Sequence, residues 1–259
     1  MQQIELELAG GGVLTVSLRA SLDAMPAVEQ RPLVLVVPGG GYDHVSPREG
    51  DPVALQFAAA GYHTAVLTYS VGEGAQNYRP LRQLNEALAL LRQNAGEWHI
   101  LQDKIAVCGF SAGGHLALSA AVLDIPGETA QQRPNAVILG YPVVTAGEFA
   151  HRGSFVRLAG GEDAAAQQAF TLEDQVNSDT PPVFVWHTME DKTVPVENTL
   201  LLLAALRRAG VPCEAHLFEK GAHGTSISTA EVDAADPHRA HWVALCLEWL
   251  GETFGFKWS

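Results

Sequence analysis

A chain of 259 residues, 47% of them hydrophobic, suits one large α/β domain or two small ones and can bury a sizeable core. Its formal net charge of −13 works against nucleic acid and anionic membrane surfaces, since phosphate-bearing partners are held by Lys and Arg, and reads chiefly as solubility. The start, MQQIELELAGGG, has neither a basic n-region nor an apolar h-region, and no apolar run reaches membrane-spanning length. A cytoplasmic, reduced protein is therefore expected, with Cys108, Cys213 and Cys246 packed as small buried hydrophobes.

Along the chain, Ile4, Leu6 and Leu8 alternate with polar residues, as do Val13, Val16 and Leu18 after a run of glycines. This pattern predicts an antiparallel hairpin. "LVLVV" (33–37) is then continuously apolar, as a strand buried on both faces must be. Similar runs follow at 63–69, 104–110, 135–141, 182–188 and 213–219. Between them lie helical patterns at 51–61, at 79–98 with Leu81, Leu84, Leu88 and Leu91 in step, at 195–210, and at 237–251. Strand and helix alternate throughout, which predicts a mostly parallel sheet of about eight strands with helices on both faces. Neither a repeat nor a linker interrupts residues 1–259, so a single domain is expected, with an irregular insertion over 145–180 near one end of the sheet.

"GFSAGGH" (109–115) places Ser111 between a predicted strand and a predicted helix. That is the context a G-x-S-x-G nucleophile elbow needs, with small residues where strand and helix approach. A serine hydroxyl is a weak nucleophile and needs a base. His223, in "EKGAHG", follows the last predicted strand, and Asp191, in "HTMEDKTVP", follows the one before it. Glu190 is the alternative acid, although the D-x-x-V-P pattern favours Asp191. All three candidates lie beyond the carboxyl ends of strands, where open α/β sheets place their sites. "PGGGY" (38–42) follows the strand at 33–37 and offers glycine amides to a developing oxyanion. It resembles no nucleotide fingerprint.

With these motifs in this order, the stretch from about Leu33 to Gly224 resembles the α/β-hydrolase esterases, in the branch with a Gly-Gly-Gly oxyanion loop. The resemblance implies an α/β-hydrolase fold and a triad of Ser111, Asp191 and His223. It implies oxyanion amides on Gly40, Gly41 and Ala112, and requires no cofactor or metal. Pro38 stands where many relatives carry a loop-supporting histidine. The longer stretch "PGGGYDHVSPREGDPVAL" is similar to bacterial acetyl-xylan and related carbohydrate esterases.

The expected substrate is a small-molecule ester, with acetyl esters of a sugar or another polar alcohol foremost. The loop from Tyr42 to Asp51 is polar, and no long apolar lid segment is present. Tyr42, Asp43 and His44 are the candidate pocket residues. The alternatives are an amide hydrolase of the kynurenine-formamidase type, a prolyl-oligopeptidase-like peptidase and a non-catalytic binding protein on the same scaffold. Self-association into a homo-oligomer is left open. The remaining histidines, including His238 and His241, lack the carboxylate or cysteine neighbours of a metal site. His115 and His187 are expected to be structural, and Trp242 and Trp249 to belong to the core.

Overall fold

The structure, a computed structural model, describes residues 1–20, 28–129 and 131–256. The predicted hairpin is present as β1 (Gln2–Glu7) and β2 (Val13–Leu18). It is followed by β3 (Arg31–Val37), α1 (Asp51–Ala59), β4 (His63–Thr68), α2 (Arg79–Gln93), β5 (Ile100–Phe110), α3 (Ala112–Val122) and β6 (Ala136–Gly140). Then come α4 (Arg152–Ala159), α5 (Ala164–Gln168), β7 (Val183–Thr188), α6 (Glu197–Ala209), β8 (Cys213–Phe218), α7 (Pro237–Ala240) and α8 (Trp242–Phe254).

The strands form one eight-stranded sheet in the order β1-β2-β4-β3-β5-β6-β7-β8. β2 pairs antiparallel with β1 and β4, and every other pairing is parallel. Successive side chains on a strand point to opposite faces, and here each face has its own core. Leu33, Leu35, Val37, Val107, Leu139 and Val185 pack with Leu84, Leu88 and Leu91 of α2, Leu118 of α3 and Leu202 of α6. Val34, Val36, Cys108, Ile138, Phe184 and Trp186 pack on the opposite side with Phe57 of α1 and Trp242, Cys246 and Leu250 of α8. Burial on both faces is why the strands read as unbroken apolar runs rather than alternating ones. Cys213 is only half-buried, unlike Cys108 and Cys246.

The chain leaves β3 for β4 on one side and leaves β5 for β6 on the other. The crevice between the carboxyl ends of β3 and β5 is therefore the point where the winding reverses, the usual location of a site in an open α/β sheet.

Several boundaries differ from the sequence expectations. β5 begins at Ile100 rather than 104, and Arg31 pairs with Ile100 across an irregular register where Gln102 and Asp103 are exposed. The polar residues at that irregularity hid the first part of the strand. α2 stops at Gln93, where the Asn94 side chain donates to the Leu90 carbonyl and closes the last turn. The expected helix over 237–251 is broken at His241, whose amide donates to His238 three residues back. The segment 145–180 holds α4 and α5, helices of 8 and 5 residues that are too short for a periodicity to show. Among the described residues, no helix is long and apolar enough to cross a membrane.

Candidate active site

Ser111 follows β5 directly and caps α3, with φ 53° and ψ −119°. An L-residue held there stores about 1–3 kcal/mol of strain, which the surroundings must fix in place. They do so by hydrogen bonds: the Ser111 amide donates to the Gly140 carbonyl, and the Ser111 carbonyl accepts from the His115 and Val143 amides. The flanking glycines are required by close approach. A Cβ on Gly109 would lie 2.2 Å from the Gly113 carbonyl oxygen, and one on Gly113 would lie 2.1 Å from that of Val37.

The Ser111 hydroxyl donates to Nε2 of His223 at 2.8 Å, and the His223 Nδ1–H donates to Oδ2 of Asp191 at 2.6 Å. Asp191 is buried, and its other oxygen accepts the amides of Thr193 and Val194 at 2.9 and 3.0 Å. Burial on its own would raise its carboxyl pKa. Hydrogen bonds from His187, His223 and the Val194 amide outweigh that and hold the group well below the usual carboxylate range. His187, wholly buried, is the structural residue expected: Thr199 sits at its Nδ1, and its Nε2 faces both Asp191 and the Val194 carbonyl. Glu190 points elsewhere, is exposed, and accepts the Gly221 amide at 3.2 Å from outside the His223 loop.

The glycine loop lies against Ser111. Gly40 has φ 124°, and a Cβ there would come within 2.1 Å of the His44 carbonyl oxygen. The amides of Gly40, Gly41 and Ala112 have no protein acceptor among the described residues. Ala112 opens α3, so its N–H also sits at the positive end of the helix dipole.

The loop's support is a residue that sequence reasoning missed. Glu49, buried at 3% exposure, accepts the Gly39 amide at 2.8 Å and the Tyr141 hydroxyl at 2.6 Å. The Tyr141 oxygen in turn accepts the Ser226 amide at 2.9 Å, and its ring stands edge-on to His223 with centroids 4.9 Å apart. One carboxylate thus ties the glycine loop to the loop that carries the histidine, and it does so where Pro38 supplies no side-chain hydrogen bond.

Glu49→Ala leaves two buried donors unpaired, each costing about 1–3 kcal/mol. The expected loss in urea unfolding is therefore about 2–6 kcal/mol, with Glu49→Gln milder because its amide oxygen still accepts one of the two. An alanine variant as stable as the parent would remove Glu49 from this role.

Ser111 and His223 open into a cavity of about 380 Å³, toward the small end of the ~300–1,000 Å³ usual for ligand sites. Its walls carry Asp43, His44, Arg48, His151, Arg157 and Thr193, and among the described residues no aliphatic or aromatic hydrocarbon side chain lines it. Asp43 and His44 are thus where the sequence placed them. Tyr42 is not: it is 1% exposed, packs edge-on to Tyr69, and its hydroxyl sits 2.9 Å from Nδ1 of His115. Its positive φ turns the side chain into the core behind the loop. His115 itself is buried against the Phe170 carbonyl. His238 stands edge-on to both Phe218 and His241, Trp242 is buried and Trp249 half-buried. Among the described residues, no group of three or more His, Cys, Asp or Glu side chains is arranged to hold a metal ion.

Residues 23–138 match the BD-FAE family. The chain is 36% identical over 218 residues to Endo-1,4-beta-xylanase B of Butyrivibrio fibrisolvens, covering 78% of this chain and 34% of that protein. It is 30% identical over 203 residues to the Acetylxylan esterase of Xylanibacter ruminicola, covering 76% of this chain and 41% of that one. The chain therefore spans well under half the length of these curated relatives. Among solved structures, the acetyl ester-xyloside bifunctional hydrolase of Caldicellulosiruptor lactoaceticus superposes with a TM-score of 0.84 at 34% identity, covering 95% of this chain and 89% of that one.

Proposed function

The chain belongs to the α/β-hydrolase esterases, and on that premise we propose that it hydrolyses short-chain carboxylic esters, acetyl esters of sugars first, through an acyl-enzyme on Ser111. The observation that carries this reading is the unbroken chain of contacts from the Ser111 hydroxyl through His223 to Asp191. Ser111 attacks the ester carbonyl while Nε2 of His223 takes its proton. Asp191 fixes the imidazole tautomer and stabilises its charged form. The amides of Gly40, Gly41 and Ala112 hold the tetrahedral oxyanion, each worth about 3 kcal/mol. The imidazolium returns its proton to the leaving alcohol, and water, activated by the same histidine, then releases the acid. We take one catalytic domain to suffice, since a single sheet carries every group named.

The cavity supports a polar alcohol and a short acyl arm. Each added acyl methylene repays its entry with about 0.8 kcal/mol only where apolar surface receives it, and no aliphatic or aromatic hydrocarbon side chain stands in the lining to receive a long chain. In a series of 4-nitrophenyl esters from C2 to C12, kcat/KM is expected to be highest at acetyl or propionyl and to fall by octanoyl, with acetate released from peracetylated xylose. A maximum at C8 or beyond, with no acetate from the sugar, would replace this reading with a lipase-like one. Formyl-amides and dipeptide amides run beside them separate the ester from the amide chemistry of the same machinery.

A further inference from the structure

His151 lines the catalytic cavity and takes no part in the mechanism above. It caps the start of α4, and its ring lies against the glycine loop, with Cε1 at 3.5 Å from where a Gly41 Cβ would stand. Its Nδ1 is 2.9 Å from Oγ of Ser154, a residue with no solvent exposure. The Ser154 hydroxyl has no other hydrogen-bond partner among the described residues, so its buried proton is paired only when it donates to Nδ1, the arrangement that puts the proton of the neutral ring on Nε2. That N–H has no protein acceptor among the described residues. Burial, assisted by His223 nearby, pushes the imidazole pKa down and favours the neutral donor over the cation.

The ring is held in place rather than merely near. Arg157 of α4 pairs with Asp43 of the glycine loop, and Arg152 donates to the carbonyls of Ala146 and Gly147 at 2.7 and 2.6 Å.

An acetyl group brings one polar atom into the site, its carbonyl oxygen, and the proposed oxyanion amides take it. A further donor in the same cavity, without a protein acceptor, is left to serve the alcohol. We propose that His151 is a specificity-determining residue whose Nε2–H hydrogen-bonds a free hydroxyl oxygen of the leaving alcohol, so that the site selects monoesters of polyols over esters of plain alkanols. This rests on the esterase reading above.

The test is a pair of esters with equal numbers of heavy atoms, 2-hydroxyethyl acetate and propyl acetate, assayed with the parent, His151→Ala and His151→Gln. The parent is expected to favour the hydroxylated ester by about tenfold in kcat/KM, the size of one neutral hydrogen bond that its competitor leaves unmade. His151→Ala should bring the ratio close to one, and His151→Gln, whose amide N–H reaches a similar position, should restore part of it. A ratio unchanged in both variants, or a loss shared equally by the two esters, overturns the proposal, since a purely structural role lowers both together. A parent inactive on both esters and on 4-nitrophenyl acetate removes the esterase reading and this inference with it. A parent active on 4-nitrophenyl acetate without preference between the pair removes this inference alone.

Discussion

Ser111→Ala is expected to lower kcat on 4-nitrophenyl acetate by several powers of ten, on the order of 10⁶ where the triad acts as a unit. The residual rate, about 10³–10⁴ over water, is what the oxyanion amides and substrate binding supply alone. The fold should survive. Alanine meets the same backbone strain at φ 53° as serine does, and the hydrogen bonds that fix it come from the main chain. The deletion leaves Nε2 of His223 without its partner, but that side chain is 17% exposed and water reaches it. The stability change should therefore stay within about 1 kcal/mol, measured by urea unfolding beside the kinetics. A variant that keeps parental turnover would end the nucleophile assignment. One that loses turnover together with several kcal/mol would show only that the elbow had collapsed.

Much of this site was legible because its parts are local. A glycine pair around one serine, an apolar run before it and a helix after it are all visible in one short stretch, 105–122. The order Ser111, Asp191, His223 follows from reading three strand ends in sequence. The groups that went unread act across distance. Glu49 sits in a polar loop with no pattern of its own, and its partner Tyr141 is 92 residues away. His151 lies in a stretch whose short helices fall below the length at which periodicity speaks. Tyr42 was misplaced for the opposite reason. It is adjacent to the glycines, but adjacency in a turn with positive φ does not fix which way a side chain faces. The break at His241 is likewise a tertiary matter: Trp242 turns into the core, and its indole N–H reaches the Ser226 carbonyl at 2.9 Å.

Asp191→Asn should cost about 10⁴ in kcat while leaving the protein folded. The asparagine oxygen can keep both amides, Thr193 and Val194, that Oδ1 accepts now. Its amide nitrogen then faces the two imidazoles that Oδ2 faces now. His187 still has the Val194 carbonyl for its proton. His223 has no such alternative, so its ring takes the other tautomer, accepting at Nδ1 and carrying its proton on Nε2, where it can no longer take the one from Ser111. The pH dependence of stability supplies a second readout. The Asp191 carboxyl is held below the unfolded value of about 3.9, so its contribution is present above that pH and is lost as pH falls toward the native pKa. The asparagine variant has no such contribution to lose. The stability gap between parent and variant should therefore be widest near neutrality and narrow below about pH 4. Glu190→Gln should be mild in both respects, because that exposed carboxylate accepts only the Gly221 amide, at 3.2 Å, and the glutamine oxygen can accept it too. If Glu190→Gln abolished turnover and Asp191→Asn did not, the acid would lie one residue earlier than the geometry puts it.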